Sequence, residues 1–451
     1  WMNRSKWVLA VVLVAMAILL AGCQQPTQPP KGATTPTPGE KEPIKVCGLF
    51  DSRIPVFKIN MEGTKVAVEI INEQGGILGR PVEVIFEDTQ KKVDVAVTAY
   101  RKAVIEHGCE IILMEGVSEE VYAVAEEGAK LYPKYPHILI AANAGMETNI
   151  KVINEYDKYK FYFKALHPDA GQGLQIAYDV VPPVAELVGT KKVALWIEEA
   201  AWTECMRKGC SFDTKFGKSE VKSIKEMLEE QGYEVVHYAD IAVGEKNFLP
   251  YLEAAKASGA GVIMVVSSWY TDTVTLAKQW STSGANDIQI VLWGGPHQMS
   301  AYWKMTGNAA LGIIAPYFSY PELPPVSPLT EEFEKKWCAK GGEAGCPTIE
   351  QSTHHYISEL FRIKEAMEKV GSTEDIDAVI KAMEETMFTS HTVISPQDCY
   401  FGRKDMYFHS YPWHPAYSLG QYQCGGKVVY VNDKEIARDH GYSEEVIKEL
   451  H

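Results

Sequence analysis

The feature that most constrains the fold is an alternation of short apolar runs with amphipathic stretches, which starts at Ile44 and occurs in two rounds. Apolar runs of roughly four to eight residues favour buried strands, and the amphipathic stretches between them favour helices. Strand–helix alternation predicts parallel sheets with right-handed crossover connections. We therefore expect an α/β protein with two doubly wound parallel-sheet lobes, one from each round.

Each round contains four predicted strands, and the rest of the chain adds helices and a β-rich tail. Strands are expected at 44–50, 82–87, 110–115 and 137–141, then at 193–197, 234–239, 261–266 and 288–292. Helices are expected at 219–231, 248–257 and 272–280, followed by a helical block at 328–384 and β-hairpin structure at 399–431. Ligands bind beyond the carboxyl ends of strands in open parallel sheets. The candidate binding loops are therefore 50–57, 115–119, 142–147, 198–203, 267–272 and 293–297.

The N-terminal residues 1–22 have the pattern of a signal peptide. Arg4 and Lys6 precede an apolar run at 7–22, which ends in small residues before Cys23. A positive start, a short apolar stretch and a small-residue cleavage point are typical of export signals. The run is shorter than the roughly 20 residues that span a bilayer comfortably, and an uncleaved membrane anchor is the alternative. The ending Leu-Ala-Gly-Cys resembles a lipobox, which implies cleavage before Cys23 and lipidation of its sulfur.

A Pro- and Thr-rich segment at 23–43 follows the apolar run. Such a composition buries no apolar surface and forms no ladders, so we expect an extended tether. Together with a lipid on Cys23, this predicts an extracytoplasmic folded body anchored to the outer face of the cytoplasmic membrane, in the periplasm or at the cell surface.

Composition and motifs argue against several classes of function. The net charge of −15 disfavours nucleic acid as a partner, because phosphate binding needs clustered positive charge. The chain has no GxSxG, HExxH, P-loop or strand-following GxGxxG motif. The adjacent residues His354 and His355 point about 100° apart on a predicted helix, and Glu198 and Glu199 follow a strand end, where a solvated loop is the simpler interpretation. We expect neither an enzyme nor a bound cofactor.

The cysteines indicate disulfides rather than a metal site. Eight cysteines remain beyond Cys23, an even number that favours pairing in an exported chain, although about 105 connectivities are possible. There is no CxxC pair, so no zinc or other metal site is expected. Sequence proximity and the predicted strands suggest four pairs: Cys205–Cys210, Cys338–Cys346, Cys399–Cys424, and Cys47–Cys109 if their strands are neighbours.

The segment 71–81, reading Ile-Asn-Glu-Gln-Gly-Gly-Ile-Leu-Gly-Arg-Pro, carries the strongest family signal, and further similar features occur in order at Gln172, 244–248, 356–372 and 420–429. Over about 44–431 the chain resembles the type I solute-binding proteins of ABC importers, specifically the branched-chain amino-acid-binding family.

The resemblance implies a lipid-anchored monomeric clamp with three hinge crossings, near Leu166, Tyr317 and Ser395. Lobe 1 would comprise 44–166 plus 318–395, and lobe 2 would comprise 167–317 plus 396–451. The clamp would capture a small solute, an amino acid or a related carboxylate, and dock on ABC permease subunits. A ligand-sensing receptor subunit with the same fold and an extracellular hydrolase are the alternatives.

The resemblance also implies candidate ligand contacts at the carboxyl edges of both sheets. A carboxylate would be held by helix N-terminal N–H groups and small hydroxyls, and aromatic rings from both lobes would cover the apolar part. At 145 a glycine replaces the usual hydroxyl residue. The candidates are Phe57, Val117, Ser118, Asn143, Ala144, Trp202, Trp269, Tyr270, Gly295 and His297.

One departure from the family pattern concerns the solute's ammonium group. Amino-acid binders carry an acid after the fourth strand of lobe 2, whereas this chain reads Trp-Gly-Gly-Pro-His at 293–297. A buried ammonium without a carboxylate is costly. Either Glu199 or Asp272 substitutes, or the solute lacks an α-ammonium, while Arg53 is a candidate partner for a second carboxylate. We expect leucine to bind more weakly than some larger, aromatic or acidic solute.

Overall fold

The structure is a computed structural model that describes residues 41–142, 144–165, 169–299, 301–317, 328–341, 346, 351–385, 409, 418–422 and 428–430. From Pro43 onwards the described chain belongs to one compact unit. None of the helices in these ranges is long and apolar enough to cross a membrane.

The strands and helices follow each other in the expected alternation. The strands are β1 (Ile44–Phe50), β2 (Val82–Asp88), β3 (Ile111–Met114), β4 (Ile138–Ala141), β5 (Tyr162–Lys164), β6 (Lys192–Glu198), β7 (Cys210–Thr214), β8 (Gly217–Val221), β9 (Glu234–Ile241), β10 (Val262–Val266), β11 (Gln289–Trp293), β12 (Ile314–Tyr317), β13 (Ser418–Tyr422) and β14 (Val428–Tyr430). The α-helices are α1 (Pro55–Glu73), α2 (Val93–Arg101), α3 (Ser118–Leu131), α4 (Glu147–Asn154), α5 (Tyr156–Tyr159), α6 (Asp169–Gln175), α7 (Val181–Val188), α8 (Glu204–Lys208), α9 (Ile224–Glu230), α10 (Leu249–Ala257), α11 (Thr273–Thr282), α12 (Tyr302–Thr306), α13 (Pro328–Ala339), α14 (Gln351–Val370) and α15 (Ile376–Glu385).

Lobe 1 is built on a five-stranded parallel sheet with the order β2-β1-β3-β4-β5. Its strands are apolar runs because helices cover both faces, so that Val46, Leu113 and Ile140 have no exposed surface. Residues of α13, α14 and α15 pack into the same core as the N-terminal helices, although they follow lobe 2 in the sequence. The disulfide Cys47–Cys109 links β1 to the segment before its neighbour β3, the same pair that the sequence suggests.

Lobe 2 repeats this topology. Its parallel strands lie in the order β9-β6-β10-β11-β12, the same arrangement as in lobe 1, which confirms the prediction of two similar α/β lobes. Two further strands, β13 and β14, extend the edge beside β12 in antiparallel orientation, so this sheet is mixed rather than wholly parallel. Antiparallel pairing of β13 with β14 agrees with the β-hairpin structure expected in the tail.

The chain passes between the lobes at three places, namely between β5 and α6, between β12 and α13, and before β13. Of the predicted hinge residues, Leu166 and Ser395 lie outside the described residues, and Tyr317 ends β12. His409, which the prediction assigns to lobe 2 with the rest of 396–451, contacts lobe 1 instead. Its carbonyl accepts a hydrogen bond from Lys164 N (2.9 Å) and its ring stacks on Phe163 with centroids 3.9 Å apart.

The predicted helix at 219–231 is wrong in its first part. Residues 210–221 form an antiparallel hairpin of β7 and β8, and the helix α9 begins only after Ser223. A capping box fixes that start, because Ser223 Oγ accepts from Glu226 N and the Glu226 carboxylate accepts from Ser223 N. The disulfide Cys205–Cys210 lies at the base of the hairpin, and a third disulfide joins Cys338 to Cys346, both as suggested from the sequence. The suggested Cys399–Cys424 pair lies outside the described residues.

Candidate functional site

The carboxyl-edge loops of the two sheets face each other and are in contact. Trp269 and Tyr270 follow β10 of lobe 2, and Trp269 packs against the hydrophobic core of lobe 1. Lys91, in the loop after β2 of lobe 1, places its Nζ 3.3 Å from the centroid of the Tyr270 ring. Because ligands bind at this edge of doubly wound sheets, the space around Tyr270 is the candidate binding site.

Tyr270 faces three carboxylates of lobe 1 together with the cations of Arg53 and Lys91. Its side chain is half-buried, and its hydroxyl has no hydrogen-bond partner among the residues that the structure describes. Burial, together with the carboxylates of Glu120, Asp51 and Glu115, raises its pKa well above the ordinary value for tyrosine. All three carboxylates belong to lobe 1, as does Arg53, whose positive charge opposes this shift.

Glu120, in the first turn of α3, is the most distinctive of these carboxylates. It is fully buried, and Oε2 accepts a hydrogen bond from Val117 N (3.1 Å), which caps the helix. The buried hydroxyl of Thr89 lies beside this carboxylate and favours its charged form. Burial raises the pKa of Glu120, the Asp51 charge adds to this, and Lys91 opposes it.

The loop after β1 fixes the other charges of this group. Arg53 Nε and Nη2 each donate to the Asp51 carboxylate at 2.8 Å, and Nη2 also donates to Gln90 O at 2.6 Å. Arg53 is therefore engaged with Asp51, which leaves the predicted role of binding a second solute carboxylate without support. Gln90 and Lys91 both have left-handed backbone, with φ of 54° and 49°. Such strain at non-glycine residues is concentrated at functional sites.

Ser118 and Gly145 come together on the lobe 1 side next to Ala144, whereas Asn143 lies outside the described residues. Ser118 Oγ accepts from Gly145 N (3.2 Å), and Lys164 Nζ donates to Ala144 O. A Cβ at Gly145 would lie 2.5 Å from Tyr122 Oη. The tyrosine thus occupies the space that a hydroxyl-bearing side chain would need.

A buried charge pair lies next to this loop, where the chain first passes between the lobes. Lys164 ends β5 and is 1% exposed, and Asp169 begins α6 and is 2% exposed. Burial lowers the pKa of Lys164 and raises that of Asp169, and the charge of each opposes the shift of the other. The negative charge of Glu147 raises both pKa values.

On the lobe 2 side, a buried carboxylate organises the loops. Glu198 Oε1 accepts from Ser268 Oγ (2.8 Å) and from the Thr271 hydroxyl, and Oε2 accepts from Trp202 Nε1 (3.1 Å). The predicted contact Trp202 is therefore tied to the loop that carries Trp269 and Tyr270.

Neither acid proposed as a substitute ammonium partner is suitably placed. The Glu199 side chain is 67% exposed, and its carboxylate lies 3.9 Å from Arg207. Asp272 instead caps α11, because its carboxylate accepts from Thr275 N at 2.9 Å and Thr275 Oγ1 at 2.7 Å.

Gly294 and Gly295 allow two loops of lobe 2 to approach closely. Their φ values are 74° and 99°, and added Cβ atoms would lie 2.2 Å from Ser267 O and 2.9 Å from Ser268 O respectively. The neighbouring His297 is fully buried, lies edge-on to Tyr302 and has its pKa lowered to about 3 by burial.

The structure does not bring every sequence-predicted residue to the contact between the lobes. Phe57 is 2% exposed and belongs to the core of lobe 1, and Val117 lies at the start of α3 as its N-cap. Sequence reasoning missed Thr89, Lys91 and Glu120. The position of 89–91 directly after β2 was the available signal, since that strand end belongs to the same sheet edge. Within the described ranges, no group of three or more His, Cys, Asp or Glu residues could hold a metal ion.

Comparison with known proteins is consistent with this geometry. A family model described as "Periplasmic binding protein" matches residues 56–139 and 210–408. The Leu/Ile/Val-binding protein homolog 3 of Brucella melitensis is 24% identical over 325 residues, which make up 71% of this chain and 77% of that protein.

Two solved structures illustrate the likeness in fold. The branched-chain amino acid transporter substrate binding protein of Streptococcus pneumoniae, in complex with isoleucine, has a TM-score of 0.62 and 17% identity, covering 86% of this chain and 98% of that one. An ABC transporter solute binding protein of Rhodopseudomonas palustris, in complex with 3,4-dihydroxybenzoic acid, has a TM-score of 0.63 and 17% identity, covering 86% and 95%. At these identities the likeness establishes the shared fold.

Proposed function

Since the chain belongs to the periplasmic binding protein family, we propose that it captures a small solute between its two lobes and delivers it to the permease of an ABC importer. The observation that carries this proposal is the meeting of carboxyl-edge loops from both sheets, where Trp269 packs on the lobe 1 core and Tyr270 contacts Lys91. A solute enclosed there is bound by both lobes and is released when they separate.

The solute carries a carboxylate. Isoleucine and 3,4-dihydroxybenzoic acid, which occupy two structurally similar proteins, share this group. In this chain it is received beside the start of α3, by backbone N–H groups and the Ser118 hydroxyl together with the loop 143–145. Trp202, Trp269 and Tyr270 cover the remainder of the solute. Gly295 allows its own loop to approach the loop that carries Trp269 and Tyr270.

The protein works outside the cytoplasm. Residues 1–22 direct export, Cys23 carries a lipid, and the tether 23–43 holds a monomeric clamp near its permease. Replacing Cys23 with Ser is expected to abolish incorporation of radiolabelled palmitate and to leave residues 1–22 attached, as measured by labelling of cells and by the mass of the purified protein. Palmitate incorporation by the variant would show that another residue carries the lipid.

Calorimetric titration of the purified full-length protein with amino acids and aromatic carboxylates tests the central proposal. We expect one solute per chain, with a Kd in the micromolar range or below, and a decrease in the radius of gyration by small-angle scattering on binding. Chemical conversion of the solute would instead identify a hydrolase. Binding without loss of uptake in a gene-deletion strain would favour a sensing subunit.

A further inference from the structure

We propose that the hairpin of β7 and β8, residues 210–221, is a strap that ties lobe 2 to helix α4 of lobe 1 and holds the two lobes together when no solute is bound. This goes beyond solute capture, because it concerns how readily the clamp opens. The strap interrupts the connection from β6 to α9 in lobe 2. In lobe 1 the equivalent connection, from β1 to α1, is the short loop 51–54. The strap is therefore an addition to the topology that the two lobes share.

The base of the strap is fixed in lobe 2. Met206 of α8 and Ile224 of α9, which precede and follow the strap, are buried in the hydrophobic core of lobe 2. The disulfide Cys205–Cys210 links α8 to the first residue of β7. Because disulfide geometry is specific, this link limits the positions that the strap can take relative to α8. The strap therefore moves with lobe 2.

One face of the strap packs against lobe 1. Side chains alternate along a strand, so Cys210 and Phe212 point to the same side, together with Val221, which pairs with Cys210. With Ile150 of α4, these half-buried residues pack on a small cluster that includes the buried Met146 of lobe 1. An isolated two-stranded hairpin is marginally stable at best in water, so the apolar face of the strap needs this partner.

Two hydrogen bonds join the turn of the strap to the last residue of α4. Asn154 Nδ2 donates to Asp213 O, and Lys215 N donates to Asn154 Oδ1, both at 3.0 Å. The Lys215 ammonium also lies 5.4 Å from the ring centroid of Tyr156 in α5, within the range of a cation–π contact. Asn154 thus binds the strap backbone at two points and fixes the position of the turn on lobe 1.

The contacts are spread along α4, which Val152 and Ile153 anchor in the lobe 1 core. The helix follows β4 and therefore begins near the loop 143–145, at the carboxyl edge of the sheet. At 1.5 Å per residue, Asn154 lies about 10 Å from the start of the helix. The strap thus holds lobe 1 both beside the cleft, at Met146, and away from it, at Asn154. Separation of the lobes about their hinges breaks contacts over this whole distance, so the strap favours the closed state.

The test measures closure of the solute-free protein by small-angle scattering and by hydroxyl-radical footprinting with mass spectrometry. Oxidation of Met146 reports release of the strap, and oxidation of Trp269 reports separation of the lobes. Asn154→Ala removes both hydrogen bonds and is expected to raise the ratio of open to closed protein about tenfold. The radius of gyration should increase, and both reporters should be oxidised faster. Phe212→Ala removes apolar packing instead and should have the same effects.

Each variant has a matched control. Asn286→Ala truncates an exposed asparagine of lobe 2 that lies just before β11, and Phe216→Ala truncates the exposed phenylalanine at the turn of the strap itself. Neither control should change the radius of gyration or the oxidation of Trp269. Circular dichroism checks that each variant is folded. If Phe212→Ala does not fold, Asn154→Ala decides, because it alters an exposed residue.

The outcomes separate a strap from a local support. An unchanged radius of gyration and unchanged Trp269 oxidation in the strap variants would overturn the proposal, and faster oxidation of Met146 alone would show that the hairpin only supports α4. Controls that open the clamp as far as the strap variants would contradict it as well. None of these results bears on solute capture, which the calorimetric titration tests separately.

Discussion

At the scale of single residues, the loop geometry of lobe 2 depends on Gly294. Its φ of 74° is unfavourable for other residues, and an added Cβ would lie 2.2 Å from Ser267 O. We predict that Gly294→Ala lowers the free energy of unfolding by roughly 3 kcal/mol, from backbone strain and overpacking together. Urea unfolding measures this. The control Gly284→Ala, where no atom lies within 4 Å of the added Cβ, should cost less than about 1 kcal/mol. Equal losses in both variants would contradict the steric argument.

A second residue-scale prediction concerns His137, which is fully buried in lobe 1 between Tyr100 and Tyr135 O. Burial lowers its pKa from 6.5 to about 4. Between these pH values the unfolded chain binds a proton that the folded chain does not. The stability that depends on neutral His137 is therefore complete above pH 6.5. Below that pH the free energy of unfolding falls by up to about 1.4 kcal/mol per pH unit.

The measurement compares urea unfolding of the wild type and His137→Gln at pH 6.5 and pH 5. The wild type should lose about 1.6 kcal/mol more than the variant over this interval, because glutamine binds no proton there. An identical pH dependence of the two proteins would show that folded His137 titrates like an exposed histidine.

At the scale of secondary-structure elements, the disulfides are expected to contribute according to the loops they close. Cys47–Cys109 joins residues 62 apart in sequence, whereas Cys205–Cys210 joins residues 5 apart. Loop-closure entropy predicts a stabilisation of about 4 kcal/mol for the first pair and about 2 kcal/mol for the second. Double Cys→Ala variants of each pair, measured by urea unfolding beside the reduced wild type, separate loop closure from loss of buried sulfur. A larger loss for the Cys205–Cys210 variant would contradict the entropic account.

The sequence predicted strands buried on both faces better than it predicted exposed ones. The eight predicted strands of the two rounds all exist, with ends shifted by at most two residues, because helices cover both sheet faces and leave continuous apolar runs. The hairpin of β7 and β8 escaped prediction because its residues are half-exposed or exposed throughout and carry no such run. The capping box at Ser223 is a local signal that would have placed the start of α9 correctly.

In the candidate site, too, some residues have a signal in the sequence and others do not. Trp269 and Tyr270 were predicted because a known family pattern and a strand end coincide there. Glu120 was not, because a glutamate in the first turn of a helix is ordinarily a cap. Only the structure shows that this carboxylate is fully buried and lies beside the buried hydroxyl of Thr89.

At the scale of the whole molecule, the contact between the lobes links closure to solute binding. Trp269 belongs to lobe 2 but packs against the lobe 1 core, so separation of the lobes exposes apolar surface. At roughly 25 cal/mol per Å², loss of this contact corresponds to about 2 kcal/mol of closure free energy. A clamp that closes less readily has a lower apparent affinity, because the competent state is less populated.

We therefore predict that Trp269→Ala weakens solute binding about thirtyfold and increases the radius of gyration of the solute-free protein, as measured by calorimetry and small-angle scattering. The second readout matters because Trp269 is also a proposed solute contact, and loss of that contact alone would leave the solute-free shape unchanged. Tyr178→Ala, which truncates a tyrosine with 47% exposure on the lobe 2 surface, is the matched control and should alter neither quantity. If Trp269→Ala weakens binding while the solute-free protein keeps its radius of gyration, the tryptophan acts on the solute and closure is stabilised elsewhere.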